Sequence, residues 1–140
     1  MKNNKDIILF ENYDLIQDEI HSEIAIKTLH IIIQIQMFHW QALSYKEHKI
    51  FDTLGEEFKE LGDKLVEVIS GVYGRVHLSE DLNLPLRNYS DLDPIGFIDQ
   101  AIDIFKVYQT NIVMNESEIV SIIDDILALF NQTKYLLSFK

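Results

Sequence analysis

The sequence predicts an all-α fold: a four-helix bundle made of two tight helical hairpins joined by one long connection. Three observations predict it. Helix-start signals stand at Ser44, Asp93-Pro94 and Asn115, a glycine stop follows Tyr73, and an aperiodic stretch from about Arg75 to Ser90 separates the two halves. With 140 residues and 47% hydrophobic content, the chain holds one domain with a proper core and is too short for two typical ones.

Helix A is expected from Asp14 to about Ala42, after a flexible or partly ordered segment over residues 1–12. Near its C-terminal half, Leu29, Ile31, Ile32, Ile33, Ile35, Met37 and Phe38 go almost all round the cylinder. A helix apolar on every side is covered on every side, which argues for a subunit contact beyond the bundle core. Ser44-Tyr-Lys-Glu47 reads as a capping box opening helix B, so A and B are joined by a very short turn and run antiparallel. Helix B extends to about Tyr73, with Gly74 as its stop and Phe51, Leu54, Phe58, Leu61, Leu65, Val68 or Ile69, and Val72 as its core stripe. The connection that follows contains Pro85 and is long enough to cross the bundle, with room for a short helical turn. Helix C starts at Asp93-Pro94 and runs to about Val113; Asn115 and Glu118 resemble a second capping box launching helix D to about Ser138. Two hairpins and one long B–C crossover are the ferritin-like arrangement of such a bundle.

Composition narrows the chemistry. Without cysteine there are no disulfides, thiolate ligands or cysteine nucleophiles, so His and carboxylates are the strong ligands available, and iron, manganese or zinc the metals that suit them. A net charge of −11 opposes binding by phosphate neutralisation and suits a protein that attracts cations. Ile7–Phe10 is shorter than a signal-peptide core, and the apolar stretch Leu29–Phe38, interrupted by His30, Gln34 and Gln36, is too short to span a bilayer. A soluble, cytoplasmic protein is the expectation.

The candidate ligands sit on helix B. His48 with Asp52, and Asp63 with Glu67, are each four residues apart and so share a face as two-toothed pairs. The pairs lie about 16 Å apart along the axis, too far to close one site. An antiparallel second copy, with its two-fold axis passing between positions 57 and 58, sets His48 and Asp52 of one chain against Glu67 and Asp63 of the other. Equal pair spacings make that match automatic, so the spacing alone makes a shared site possible without requiring it. Asp63 and Glu67 by themselves fit an ordinary solvated face, His39 alone fits a structural histidine near a helix end, and Trp40 alone is a packing residue. Gly55 and Gly62 cost about 1 kcal/mol each inside a helix. They either let two B helices approach at the two-fold axis or reflect drift.

His39-Trp40 at the end of helix A, followed by His48-x3-Asp52-x10-Asp63-x3-Glu67, resembles the ferroxidase signature of the Dps family (DNA-binding proteins from starved cells), the mini-ferritins. The resemblance implies that His39, His48 and Asp52 of one subunit, with Asp63 and Glu67 of its two-fold partner, hold iron. It further implies Fe(II) oxidation, preferably by hydrogen peroxide, and storage of ferric mineral in a hollow dodecamer, with Trp40 beside the site as a radical trap. Zinc or manganese would compete for such ligands.

The chain is shorter than typical members and is similar to compact variants carried by phages, for which the compartment would be the host-cell cytoplasm. The Lys-rich tail that lets some members bind DNA is nearly absent, with only Lys2 and Lys5 before Asp6, so DNA binding is not carried over. In this family acidic residues line ion-entry pores, a role open to Asp99 with Asp103 and to Asp124-Asp125, although a solvated face explains both. His21 and His30 read as structural or surface residues, and His77 as a loop residue without a role. Against the iron reading stands a ferritin-like acidic structural or interaction protein without iron turnover.

Overall fold

The computed structural model describes residues 17–111 and 115–140; the segment expected over 1–12, and the expected starts and ends of helices A and C at 14–16 and 112–113, lie outside them. The described residues form four helices and no strand: α1 (Gln17–Gln41), α2 (Tyr45–Tyr73), α3 (Pro94–Thr110) and α4 (Ser117–Leu137), with a 3₁₀ turn at Tyr89–Asp91. None of these helices is long and apolar enough to cross a membrane.

Local chemistry sets most of the ends. Ser44 Oγ accepts from the Glu47 N–H at 3.1 Å, which satisfies one of the orphan donors in the first turn of α2. Only this half of the expected capping box forms, because the Glu47 carboxylate accepts instead from the Tyr89 hydroxyl. Gly74 ends α2 at φ 102°, a backbone conformation side chains disfavour, and its N–H donates to the Ser70 carbonyl at 2.9 Å. Asp93 caps α3 through Gly96 N–H at 3.3 Å, with Pro94 in the first turn. The second capping box does not form: the N-cap of α4 is Glu116, one residue after Asn115, and its carboxylate accepts from the Tyr73 hydroxyl.

The helices pack as α1 on α2, α2 on α4, and α4 on α3. Each of these contacts is antiparallel, as contacts near opposite ends show: Thr28 meets Gly62 and His39 meets His48, Phe58 meets Phe130 and Tyr73 meets Glu116, Lys134 meets Asp99 and Gln109 meets Asp124. The buried face of α2 is Phe51, Leu54, Phe58, Gly62, Leu65 and Ile69. The expected stripe therefore turns toward Ile69 at its end, leaving Val68 half-buried and Val72 41% exposed.

The middle of the bundle is apolar. Phe58, Phe105 and Phe130 are fully buried with ring centroids 5.3–6.1 Å apart, among Leu54, Leu65, Ile98, Ile123 and Ile126. Each such ring contributes on the order of 1.5–3 kcal/mol by leaving water. Among the described residues, that centre is lined by apolar side chains.

Residues 74–93 form a strap along the outside of α1. The Ser22 hydroxyl accepts from His77 N–H at 3.2 Å, and His30 Nε2 donates to the Pro85 carbonyl at 2.8 Å. Gln34 then clasps the backbone of Arg87 from both sides, Nε2 to its carbonyl at 2.8 Å and Oε1 from its N–H at 2.9 Å. Gln41 accepts from Tyr89 N–H at 2.7 Å and donates to Asn88 Oδ1 at 2.9 Å. Successive rungs on α1 meet successive strap residues, so the strap runs parallel to α1 and returns the chain to the end where α2 began. Consequently α2 and α3 are parallel.

Candidate functional site

His39 lies in the last turn of α1, where carbonyl groups lack intrahelical partners, and His48 lies in the first turns of α2 across the tight connection. The two residues satisfy each other. His39 Nδ1 donates to the His48 carbonyl at 3.0 Å, and His48 Nδ1 donates to the His39 carbonyl at 2.9 Å. Their rings stack with centroids 4.1 Å apart and planes 20° from parallel. A carbonyl oxygen only accepts, so both Nδ1 atoms carry hydrogen and, in the neutral rings, both Nε2 atoms keep a lone pair.

Asp52 follows His48 by one turn of α2. Its Oδ1 lies 3.9 Å from His39 Nε2, and its Oδ2 lies 3.7 Å from Lys49 Nζ. The side chain of His39 is 18% exposed and that of Asp52 40%, which leaves the pair at the rim of the protein. Beside them a groove of about 140 Å³ runs between α1 and α2, floored by Ile32, Ile35 and Phe51 and walled by Gln36, Asp52, Glu56 and Lys59.

The remaining expected ligands stand apart. Asp63 and Glu67 are exposed further along α2, and Asp63 Oδ2 is 3.5 Å from Lys59 Nζ. Thus one chain brings together His39, His48 and Asp52 and does not bring Asp63 or Glu67 to them. Among the described residues, no three His, Asp or Glu side chains converge to hold an ion. Trp40 is 73% exposed, so it does not serve the packing role its residue type first suggests. The ring lying next to His48 on the solvent side is Tyr45, at 6.2 Å between centroids.

Other polar residues of the sequence find structural employment. His21 is buried with its ring stacked 4.0 Å from that of Tyr73, and His30 holds the strap. Burial, reinforced by the Glu116 carboxylate and by Glu118, pushes the Tyr73 phenol up to about 12. Asp99 pairs with Lys134 at 2.6 Å, and Asp124 accepts from Gln109, while Asp103 and Asp125 are exposed.

Gly62 and Gly55 face α1 within the chain. A Cβ on Gly62 would stand 2.6 Å from Thr28 Cγ2, and one on Gly55 would meet Ile35 Cγ2 at 3.4 Å. Gly62 is therefore the close-approach point of α1 on α2, an internal reason for a glycine there that Gly55 does not share. The lysine partners of Asp52 and Asp63 were readable as i,i+3 and i,i+4 pairs. The reciprocal histidine clasp was not, since it depends on the angle at which two helices meet.

Residues 39–137, most of the chain, match a family of unknown function, DUF5856. This chain belongs to that family. It is also similar to an uncharacterized 14.6 kDa protein of Enterobacteria phage T4 from the mobD-ri intergenic region, 35% identical over 102 residues that cover 71% of this chain and 73% of that protein. No solved structure matches. The family match takes in every candidate ligand from His39 to Glu67.

Proposed function

We propose that this DUF5856 protein is a Dps-like ferroxidase, a ferritin-like bundle that binds and oxidises Fe(II) at sites shared by two-fold pairs of chains. The observation that carries the reading is the histidine clasp. Metal-binding imidazoles commonly donate one ring N–H to a carbonyl or carboxylate, which fixes the tautomer and aims the other nitrogen. His39 and His48 do this for each other and keep Nε2 for an ion, with Asp52 beside them.

Asp63 and Glu67 of a second copy supply the carboxylates that one chain leaves out. Imidazole nitrogens suit Fe(II), and carboxylates stabilise the Fe(III) that forms. Each Fe(II) gives up one electron. A peroxide takes two, its O–O bond breaks, and with two protons it leaves as water. The ferric product is stored as mineral if the pairs assemble further, into the dodecamer of the resembled family. The path of the strap supports the ferritin-like crossover, and the half-buried Leu29, Ile32, Ile33 and Met37 on α1 support a subunit contact. Similarity to a phage protein is what supports assigning the reaction to the cytoplasm of an infected host.

Anaerobic mixing of the protein with Fe(II), followed by hydrogen peroxide, tests the reading. Ferric absorbance rises faster than in a protein-free control, and Asp63→Asn with Glu67→Gln slows it by more than about tenfold. A wild-type rate equal to the control would overturn it. Zinc or manganese added first competes for the same side chains.

A second reading has its own observation. Lys49 and Lys59 occupy Asp52 and Asp63 as surface ion pairs, which fits an acidic structural or interaction protein without iron turnover. Under that reading the same variants leave Fe(II) oxidation at the background rate of the control.

A further inference from the structure

His48, Asp52, Glu56, Lys59, Asp63 and Glu67 follow one another at spacings of 4, 4, 3, 4 and 4 residues, which keeps them on one flank of α2. That spacing reads the same in both directions. His48 and Asp52 are half-buried, with His39 of α1 against them, and the other four are exposed. Glu56 and Lys59 stand at its centre, on the wall of the groove that also holds Asp52 and His39.

A helix stripe with palindromic spacing can meet an antiparallel copy of itself residue for residue. In the register that sets His48 against Glu67 and Asp52 against Asp63, the two central positions are filled by Glu56 and Lys59 of opposite chains. Opposite charges therefore meet twice about the two-fold axis, while Asp52 and Asp63 meet as like charges that demand a cation between them.

We infer that Glu56 and Lys59 are the register lock of a dimer whose other half is a second copy of this chain, an inference that rests on the shared-site reading above. In the single chain Lys59 leans on Asp63, 3.5 Å away and with both side chains more than half exposed. Pairing with Glu56 of the second copy draws Lys59 off Asp63. The carboxylate so released faces Asp52 of the second copy, and the ion replaces the lysine. Dimer formation and metal binding thereby favour each other: the lock frees a ligand, and the cation removes the repulsion that would force the helices apart. A slip of one turn that set Lys59 against Asp52 would take both from the ligand set, so complete sites form only in the register where Lys59 meets Glu56.

Charge reversal tests this with the full-length protein. Glu56→Lys alone and Lys59→Glu alone each place like charges together twice at the axis, and each weakens the dimer by about tenfold or more in sedimentation velocity at low salt. The double variant, Glu56→Lys with Lys59→Glu, restores opposite charges and recovers the wild-type dimer together with Fe(II) oxidation. Dimers indifferent to all three variants overturn the lock and leave the iron reading standing. Loss in the single variants without recovery in the double one overturns the pairing as well. A wild-type dimer that obeys the charge swap but does not oxidise Fe(II) faster than the control overturns the iron reading instead, and a monomeric wild type overturns both.

Discussion

Two sets of polar side chains interrupt the apolar pattern of the first hairpin, and they meet opposite fates. His30, Gln34 and Gln41 on α1 are consumed inside the chain, each bonded to backbone or side-chain groups of the strap at 2.7–2.9 Å. On α2, Asp63 has the facing Lys59, and Asp52 has Lys49 and, at 3.9 Å, His39, while Asp63 and Glu67 lie exposed. Polar groups buried with partners are architecture; under the proposed function, the row of ligand-type groups left in the open is addressed to a second copy and an ion. The difference separates stability from function on adjacent helices.

The largest expected effect on stability is on the strap side. Gln34 is 2% exposed, and Gln34→Ala removes both bonds to Arg87 and opens a hole beneath the strap. Urea unfolding is expected to show a loss of about 2–3 kcal/mol. Asp63→Asn and Glu67→Gln, by contrast, stay within about 0.5 kcal/mol of wild type in the same measurement. Equal losses on the two sides would erase the comparison.

Gly62→Ala comes next. Its Cβ would stand 2.6 Å from Thr28 Cγ2, where Thr28 is itself buried. Overpacking of this kind costs about 1–3 kcal/mol, and the gain of about 1 kcal/mol from replacing a helical glycine offsets part of it. A net loss of about 1 kcal/mol follows. Thr28→Ser removes the offending methyl and should recover stability in the double variant, which thermal denaturation can check.

The last effect shows only at high pH, at the far end of α2. The Tyr73 phenol titrates at about 12 in the folded chain against 10.0 when unperturbed. Because the folded value is raised, the unfolded chain loses this proton first. The stabilisation is complete below pH 10 and disappears as pH rises toward 12. Tyr73→Phe should flatten that part of the stability profile without altering Fe(II) oxidation at neutral pH.

How much of this was legible in the sequence depends on the range of the interaction. Ser44, Gly74 and Asp93-Pro94 act within a few residues and were readable as caps and stops. The shared flank of the α2 stripe was readable too, since helical spacing alone puts those side chains together. What escaped depends on partners distant in sequence. Glu116 rather than Asn115 caps α4 where Tyr73 reaches it, and Gln34 looked like a flaw in an apolar helix until the strap lay against it. Gly62 suggested a close approach without naming its partner, which within the chain is Thr28, thirty-four residues away on the facing helix.

The central claim is that neither chain owns a complete site. Two variants, His48→Ala with Asp52→Asn and Asp63→Asn with Glu67→Gln, each destroy both sites of their own dimer. Mixed, unfolded and refolded together in equal amounts, they form hybrid dimers in which one site draws all its ligands from intact halves. The account predicts two inactive proteins whose mixture regains about a quarter of the wild-type rate of Fe(II) oxidation, half of the dimers being hybrids with one working site of two. A mixture as inactive as its parents, measured while hybrid dimers are present by native mass, would contradict it.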